Sequence, residues 1–157
     1  MAVRLRPLPE EETASFVAST RDAYTREMVM HAGMSEEEAR TKAEGDFALL
    51  VRDGRPVAGQ QLFWIEEVET GERVGRVWLG ERFGGQPVGF LYDIEIEPAF
   101  QGRGLGREAM LLVEEEARRS EFAEIRLNVF GGNEVARSLY RSLGYAEFAI
   151  GMRKRLT

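Results

Sequence analysis

The chain has 157 residues, a net charge of −6 and no cysteine. This length suits one domain, which we expect over residues 1–157. The negative charge argues against a general nucleic-acid binder, and the lack of cysteine excludes disulfides and thiolate chemistry. The lone histidine, His31, reads as an ordinary helix-end residue, and no metal is expected. With no long apolar run and no signal segment, the sequence predicts a cytoplasmic protein without membrane contact.

The N-terminal third predicts one strand followed by two helices. Apolar and basic residues alternate over Val3–Arg6, which indicates a short strand. Gly33 breaks the first helix, and Ser35 with Glu38 has the spacing of a capping box that begins the second. The apolar positions that define the two helices are Phe16, Thr20, Tyr24 and Met28, then Ala39, Ala43, Phe47 and Leu50.

Three strands are predicted in the middle of the chain. They cover Leu62–Ile65, Val74–Leu79 and Val88–Ile96, which are rich in β-branched and aromatic residues. Turn signals at Thr70-Gly71 and Gly84-Gly85 separate them. Because the connections are short, we expect an antiparallel meander.

The C-terminal third alternates helices and strands. Leu105–Ala117 and Ala136–Leu143 carry helical stripes, with a strand at Ile125–Val129 between them. Tyr145–Arg153 predicts a final strand. The element order predicts an α/β fold in which a mixed, mostly antiparallel sheet has helices on both faces.

A glycine-rich loop joins the strand Val88–Ile96 to the next helix. Glycines let the backbone approach a ligand closely, and free N–H groups at a helix start point towards an anion. Arg103 and Arg107 add positive charge. This pattern predicts a diphosphate site built from Gln101, Gly102, Arg103, Gly104, Leu105, Gly106 and Arg107.

Two other diphosphate motifs fit the loop less well. A P-loop requires Gly-Lys-Ser or Gly-Lys-Thr, which is missing here. Gly104, Gly106 and Ala109 match the dinucleotide fingerprint, with Glu124 about 20 residues later. However, Glu124 precedes its strand, and too little chain remains for a second half-sheet. An NAD-linked oxidoreductase is therefore disfavoured.

The loop resembles the pyrophosphate-binding motif of the GCN5-related N-acetyltransferases, the GNAT family. The family pattern is Gln or Arg, two residues, Gly, one residue, then Gly or Ala, as in Gln101–Gly106. A second segment, Leu127–Tyr145, resembles the family's strand, Asn-containing loop and helix with Leu-Tyr, followed by Gly-Tyr. The resemblance covers essentially the whole chain.

The resemblance implies an N-acetyltransferase that moves an acetyl group from acetyl-CoA to a primary amine by direct attack. The GNAT-like sheet would splay between its fourth and fifth strands. The pantetheine arm would pair with the backbone of Ile94, Glu95 and Ile96, and the pyrophosphate would bind the loop Gly102–Arg107. Asn133, Arg137 and Tyr140 project on one helix face, which in the family looks into the coenzyme cleft, and Tyr140 takes the general-acid position.

The general base remains open between two acids of the fourth strand. Glu95 is the first choice because its side chain should point opposite to Ile94 and Ile96, and Asp93 is the second. Either could instead be a solvated strand acid. Asn128 stands where relatives that acetylate protein N-termini carry Glu, which disfavours that subclass.

The acceptor amine remains open. A small molecule, a peptide N-terminus or a lysine side chain would each fit, and a homodimer is possible. A non-catalytic acyl-CoA sensor on the same fold is the alternative, although Tyr140 favours an enzyme. By family analogy, the acceptor region includes Glu27, Met28, His31, Glu36, Trp64, Glu66 and Trp78.

Overall fold

The computed structural model describes residues 2–157. Over that range the chain forms strands and helices in an order close to the predicted one. In chain order they are β1 (Val3–Pro7), α1 (Thr13–Ala32), α2 (Glu36–Leu50), β2 (Val51–Arg52), β3 (Arg55–Pro56), β4 (Gln60–Glu67), β5 (Arg73–Glu81), β6 (Val88–Ile96), α3 (Leu105–Arg119), β7 (Glu124–Leu127) and α4 (Glu134–Ser142). None of the described helices is long and apolar enough to cross a membrane.

Five strands form the main sheet in the order β1-β4-β5-β6-β7. The pairs from β1 to β6 are antiparallel, and β7 lies parallel to β6. The predicted mixed, mostly antiparallel sheet is therefore confirmed. The small hairpin of β2 and β3 was not predicted, because two-residue strands are too short to show a periodic pattern.

Helices cover both faces of the sheet, as predicted. On one face α3 buries Leu105, Met110 and Val113 against the strands, and α4 packs beside it. On the other face, which we call the α1–α2 face, Phe16 and Phe47 pack against two sheet tryptophans. The two helix layers leave the edges and ends of the strands as the places where a ligand can reach the backbone.

Local signals fix the ends of the first two helices. Gly33 takes a left-handed φ of 65° and its N–H bonds to the Met28 carbonyl, which ends α1. Ser35 and Glu38 form both hydrogen bonds of the predicted capping box at the start of α2. These ends set how α1 and α2 cross the sheet.

The predicted final strand, Tyr145–Arg153, is wrong. This segment forms no strand, and its alternating apolar side chains Phe148, Ile150 and Met152 are exposed. A cavity of about 980 Å³ is lined by β7, α4 and residues 145–151. Ion pairs from Arg137 and Arg141 to Glu147 hold the segment to α4 instead. Alternation alone predicted a strand, but no strand edge pairs with this segment.

Candidate active site

The parallel strands β6 and β7 separate within the sheet. Their register runs from Val88 opposite Glu124 to Leu91 opposite Leu127 and then stops. From Tyr92 to Ile96, β6 keeps β5 along one edge, and no described strand pairs with its other edge. This is the predicted splay, and it leaves free backbone groups that an extended ligand can bind.

A β-bulge in β6 sets which side chains face the opening. Trp78 of β5 lies opposite Asp93, whereas Leu79 lies opposite Leu91, so Tyr92 is the extra residue. Beyond the bulge, Ile94 and Ile96 pack with the α3 core. Glu95 therefore points opposite to Ile94 and Ile96, as predicted. Asp93 lies opposite Trp78, so both acids project towards the α1–α2 face.

Asp93 and Glu95 share one buried arginine. Arg76 of β5 donates from Nε to Asp93 Oδ2 at 2.8 Å and from Nη2 to Glu95 Oε2 at 2.5 Å. The Asp93 side chain is only 14% exposed. Its burial raises the pKa of Asp93 to about 7 against the attraction of Arg76, and the charges of Glu27 and Glu95 raise it further.

Glu27 brings α1 into this cluster. Burial raises the pKa of the Glu27 carboxyl, and the charge of Glu95 adds to that effect while His31 and Arg76 oppose it. Two carboxylates therefore bind one buried guanidinium, and the carboxyl group of Glu27 lies near enough to interact with both Arg76 and Glu95. Such a cluster favours a cation at its open side and keeps some of its protons near neutral pH.

Tyr140 of α4 reaches the same cluster from the other side of the opening. Its side chain is half-buried, and burial raises the pKa of Tyr140 to about 12, with smaller contributions from Asp93 and Glu27. The hydroxyl is therefore protonated at neutral pH. β6, α1 and α4 thus bring Asp93, Glu27 and Tyr140 together, although only Asp93 and Tyr140 were predicted as catalytic.

The glycine loop follows the end of β6, beyond the last residues that pair with β7. Gly102 and Gly104 both have φ of 79°, and no side chain caps the N-terminus of α3. The Gln101 amide donates to the Ile96 carbonyl at 2.9 Å, which fastens the loop to β6. A Cβ at Gly106 would lie 3.5 Å from Leu139 of α4, so the loop is held between β6 and α4. Uncapped N–H groups at this point suit an anion.

The charged groups near the loop already have partners within the protein. The Arg107 guanidinium donates to the Ser142 hydroxyl, and the Arg103 guanidinium lies 5.7 Å from the Phe100 ring centroid. Asn133 caps α4 by accepting from the Ala136 N–H at 3.2 Å. Arg137 binds the Gly131 carbonyl at 2.9 Å as well as two carboxylates. Asn133 and Arg137 therefore also stabilise the β7–α4 connection.

The residues predicted by analogy for the acceptor region divide into two groups. Glu27 and His31 lie on the helix face that meets the cluster, and the His31 carbonyl is 3.0 Å from where a Gly132 Cβ would be. Of the others, Met28, Trp64 and Trp78 are core residues, and Trp78 lies opposite Asp93 in the sheet. Glu66 is buried and binds Arg4 and Arg6, and Glu36 is exposed in the first turn of α2.

Arg76 was missed by sequence reasoning. The sequence did mark it, because Arg76 is the one charged residue within the otherwise apolar run Val74–Leu79. A buried arginine requires a carboxylate partner. That requirement could have pointed to the acids on the neighbouring strand.

Residues 13–145 match the family model described as the acetyltransferase (GNAT) family. The chain belongs to the GNAT acetyltransferase family. The uncharacterized N-acetyltransferase YdgE of Bacillus subtilis is 32% identical to it, over 99% of both chains. Enzymes of the GNAT family use acetyl-CoA, and acetyl transfer is the activity that this membership supports.

Solved structures give the same fold. The crystal structure of YycN from Bacillus subtilis, an uncharacterized N-acetyltransferase, superposes with a TM-score of 0.87 at 27% identity over 99% of both chains. The PaiA N-acetyltransferase of Thermoplasma acidophilum, solved in complex with coenzyme A, gives 0.65 at 17% identity, covering 93% of this chain and 91% of that one. The second likeness shows the fold alone.

Proposed function

We propose that this GNAT protein transfers an acetyl group from acetyl-CoA to a primary amine by direct attack. The observation that carries the proposal is the separation of β6 from β7 after Leu91, next to the uncapped N-terminus of α3. An extended arm can pair with the free edge of β6, and a diphosphate can reach the helix N-terminus. The two features adjoin through the loop that Gln101 fastens to Ile96.

The coenzyme-binding groups follow from that geometry. The backbone of Ile94, Glu95 and Ile96 would hold the pantetheine arm. The N–H groups of Gly102–Arg107 would hold the pyrophosphate, with the guanidinium groups of Arg103 and Arg107 adding charge. Asn133 and Arg137, on the α4 face near the opening, would contact the coenzyme. Acetyl-CoA supplies the acetyl thioester that the amine attacks and the sulfur that leaves as a thiol.

Asp93 is the proposed general base. Its raised pKa of about 7 lets it accept a proton near neutral pH, so that the amine keeps a free lone pair for attack. Glu95 is less suited because it binds the same guanidinium more closely, at 2.5 Å against 2.8 Å for Asp93. In this assignment Arg76 and Glu95 orient Asp93.

Tyr140 is the proposed general acid. A thiol of ordinary basicity has a pKa of about 8.5, so a protonated donor next to the sulfur assists its departure. Tyr140 carries its proton at neutral pH because burial raises its pKa to about 12. Backbone N–H groups of β6 would stabilise the oxyanion that forms on the carbonyl oxygen.

A catalytic role is favoured over a binding-only sensor. A sensor needs the cleft but gains nothing from a carboxyl with a pKa of about 7 and a buried hydroxyl beside it. The cytoplasmic location and the homodimer remain predictions from the sequence.

The proposal is tested by ligand-dependent melting and by thiol release. Acetyl-CoA at ~100 times its Kd should stabilise the fold by roughly 2.7 kcal/mol, which raises the Tm by several degrees. NADH is the control and should give no shift. Thiol release must then depend on an added primary amine. A shift with NADH alone, or no thiol release with any of a panel of amines, contradicts the function.

A further inference from the structure

A row of aromatic side chains lies along the α1–α2 face of β6, next to the active site. The Phe90 and Tyr92 ring centroids are 4.8 Å apart, and Tyr92 immediately precedes Asp93. Tyr24 of α1 stacks on Phe130, which follows β7, with ring centroids 6.3 Å apart. Because Glu27 is one helical turn beyond Tyr24, the row begins at the carboxyl cluster and leads away from it.

Arg82 stands at the far end of this row. Its guanidinium lies 4.1 Å from the Phe90 ring centroid, and the side chain makes no ion pair with any carboxylate of residues 2–157. Burial raises the pKa of both Tyr24 and Tyr92, and the charge of Arg82 partly offsets each shift. Both hydroxyls already donate within the protein, Tyr24 to the Asp46 carboxylate at 2.8 Å and Tyr92 to the Glu81 carbonyl at 3.3 Å.

The neighbouring cation is already neutralised. Arg126 lies opposite Phe90 in the β6–β7 register, and its Nε binds the Glu124 carboxylate at 2.5 Å. Its guanidinium is held 4.9 Å from the Phe83 ring centroid. Of these two arginines, Arg82 is thus the one that is exposed and makes no ion pair among the described residues.

The two ends of the row carry opposite charge. Asp93 is three residues beyond Phe90, but because Tyr92 is the extra residue of the bulge, their partners on β5 are only two residues apart, which corresponds to roughly 7 Å. We propose, building on the function above, that the acceptor is a small amino carboxylate whose amine lies at Asp93 and whose carboxylate binds Arg82. The Phe90 ring fixes the guanidinium plane for a bidentate contact, and the carboxyl cluster repels an acceptor bound in the reverse direction.

The spacing specifies the acceptor further. An α-amino acid holds its two groups too close together to reach both ends of a row of roughly 7 Å. An ω-amino carboxylate such as 6-aminohexanoate comes much nearer to that span. Hexylamine has the same chain and amine but no carboxylate. Comparing the two acceptors therefore isolates the contact between the carboxylate and Arg82.

The test compares these two acceptors at saturating acetyl-CoA by thiol release. We expect kcat/KM to be about tenfold or more higher for 6-aminohexanoate, as a charge-assisted contact requires. Arg82→Gln should raise KM for 6-aminohexanoate about tenfold with little change in kcat, and leave hexylamine unaffected. Arg82→Lys should recover part of the loss. Arg52→Gln, which changes an exposed arginine of β2, is the matched control and should change neither.

The outcomes distinguish this proposal from the one on which it rests. Equal kcat/KM for the two acceptors, or an equal effect of Arg82→Gln on both, overturns the carboxylate assignment while acetyl transfer to amines stands. Acetylation of peptide or protein lysines in preference to 6-aminohexanoate would also overturn the carboxylate assignment. No thiol release with any amine overturns both proposals.

Discussion

The carboxyl group of Asp93 is predicted to control the pH dependence of acetyl transfer. A base must be deprotonated to act, so kcat/KM should fall as the pH drops through about 7, the raised pKa of Asp93. Asp93→Asn should remove this fall at low pH, the acidic limb of the pH profile, and lower kcat/KM by roughly 10²–10⁴-fold. Glu95→Gln should keep the limb. Persistence of the limb in Asp93→Asn and its loss in Glu95→Gln would move the base to Glu95.

A third variant tests the electrostatic cause. The charge of Glu27 contributes to the raised pKa of Asp93. Glu27→Gln should therefore move the acidic limb to lower pH while the limb itself remains. A limb that does not move would mean that Glu27 is ionised too weakly, or lies too far away, to act on Asp93.

The hydroxyl of Tyr140 has a well-matched control within the chain. Tyr140→Phe should lower kcat about tenfold or more, with acetyl-CoA affinity unchanged, because only departure of the sulfur loses its proton donor. Tyr145 packs beside it with ring centroids 5.8 Å apart and donates to Glu114. Tyr145→Phe removes a neighbouring hydroxyl and should leave kcat unchanged. Equal losses in both variants would indicate a packing effect.

At the scale of elements, the start of α3 can be tested with two glycines. Gly104 and Gly71 have φ of 79° and 71°, and a Cβ at either would meet no atom within 4 Å. Alanine at either position should therefore destabilise the fold by a similar amount, about 1 kcal/mol. Gly104→Ala should also weaken acetyl-CoA binding, measured by calorimetry, because it alters the helix N-terminus that binds the pyrophosphate. Equal affinity in the two variants would remove that loop from the site.

The elements also show what the sequence predicts well. The five main-sheet strands and the four helices follow from periodicity and end signals such as Gly33 and the Ser35–Glu38 box. The bulge at Tyr92 could not be predicted, because nothing in the composition of the strand marks an extra residue. The final strand was predicted wrongly. The alternation at Phe148 and Ile150 indicates an amphipathic segment, but a strand also requires a neighbouring strand to pair with. Long-range pairing is decided by the assembled sheet.

The candidate site divides in the same way. The glycine loop was predicted from its own residues and Tyr140 from the resemblance to the GNAT family, because both lie in linear motifs. Arg76 lies on β5, Glu27 on α1 and Arg82 in the β5–β6 connection, and only the fold brings them towards Asp93 and its strand. A pKa of about 7 for an aspartate depends on that assembly, since burial and neighbouring charges are not properties of the local sequence.

For the whole molecule, acid stability should depend on a buried ion pair far from the cleft. The Glu66 side chain is 8% exposed and binds Arg4 at 3.2 Å and also Arg6, which joins β4 to β1. Burial alone would raise the pKa of Glu66, but the hydrogen bonds from Arg6 and Arg4 outweigh it and lower the pKa below its usual range. A lowered folded-state pKa means that Glu66 stabilises the fold above the ordinary glutamate pKa of about 4.3.

Glu66→Gln should therefore lower the free energy of unfolding at pH 7 by about 1–2 kcal/mol, a value reduced for the partial exposure of Arg4 and Arg6. The difference from the wild type should shrink as the pH falls below about 4 and Glu66 becomes protonated. Urea denaturation across this pH range measures both effects. Glu69→Gln, at an exposed position of the β4–β5 turn, is the control and should follow the wild type at every pH. A Glu66→Gln deficit that stays constant with pH would show that the variant loses packing and not an ion pair.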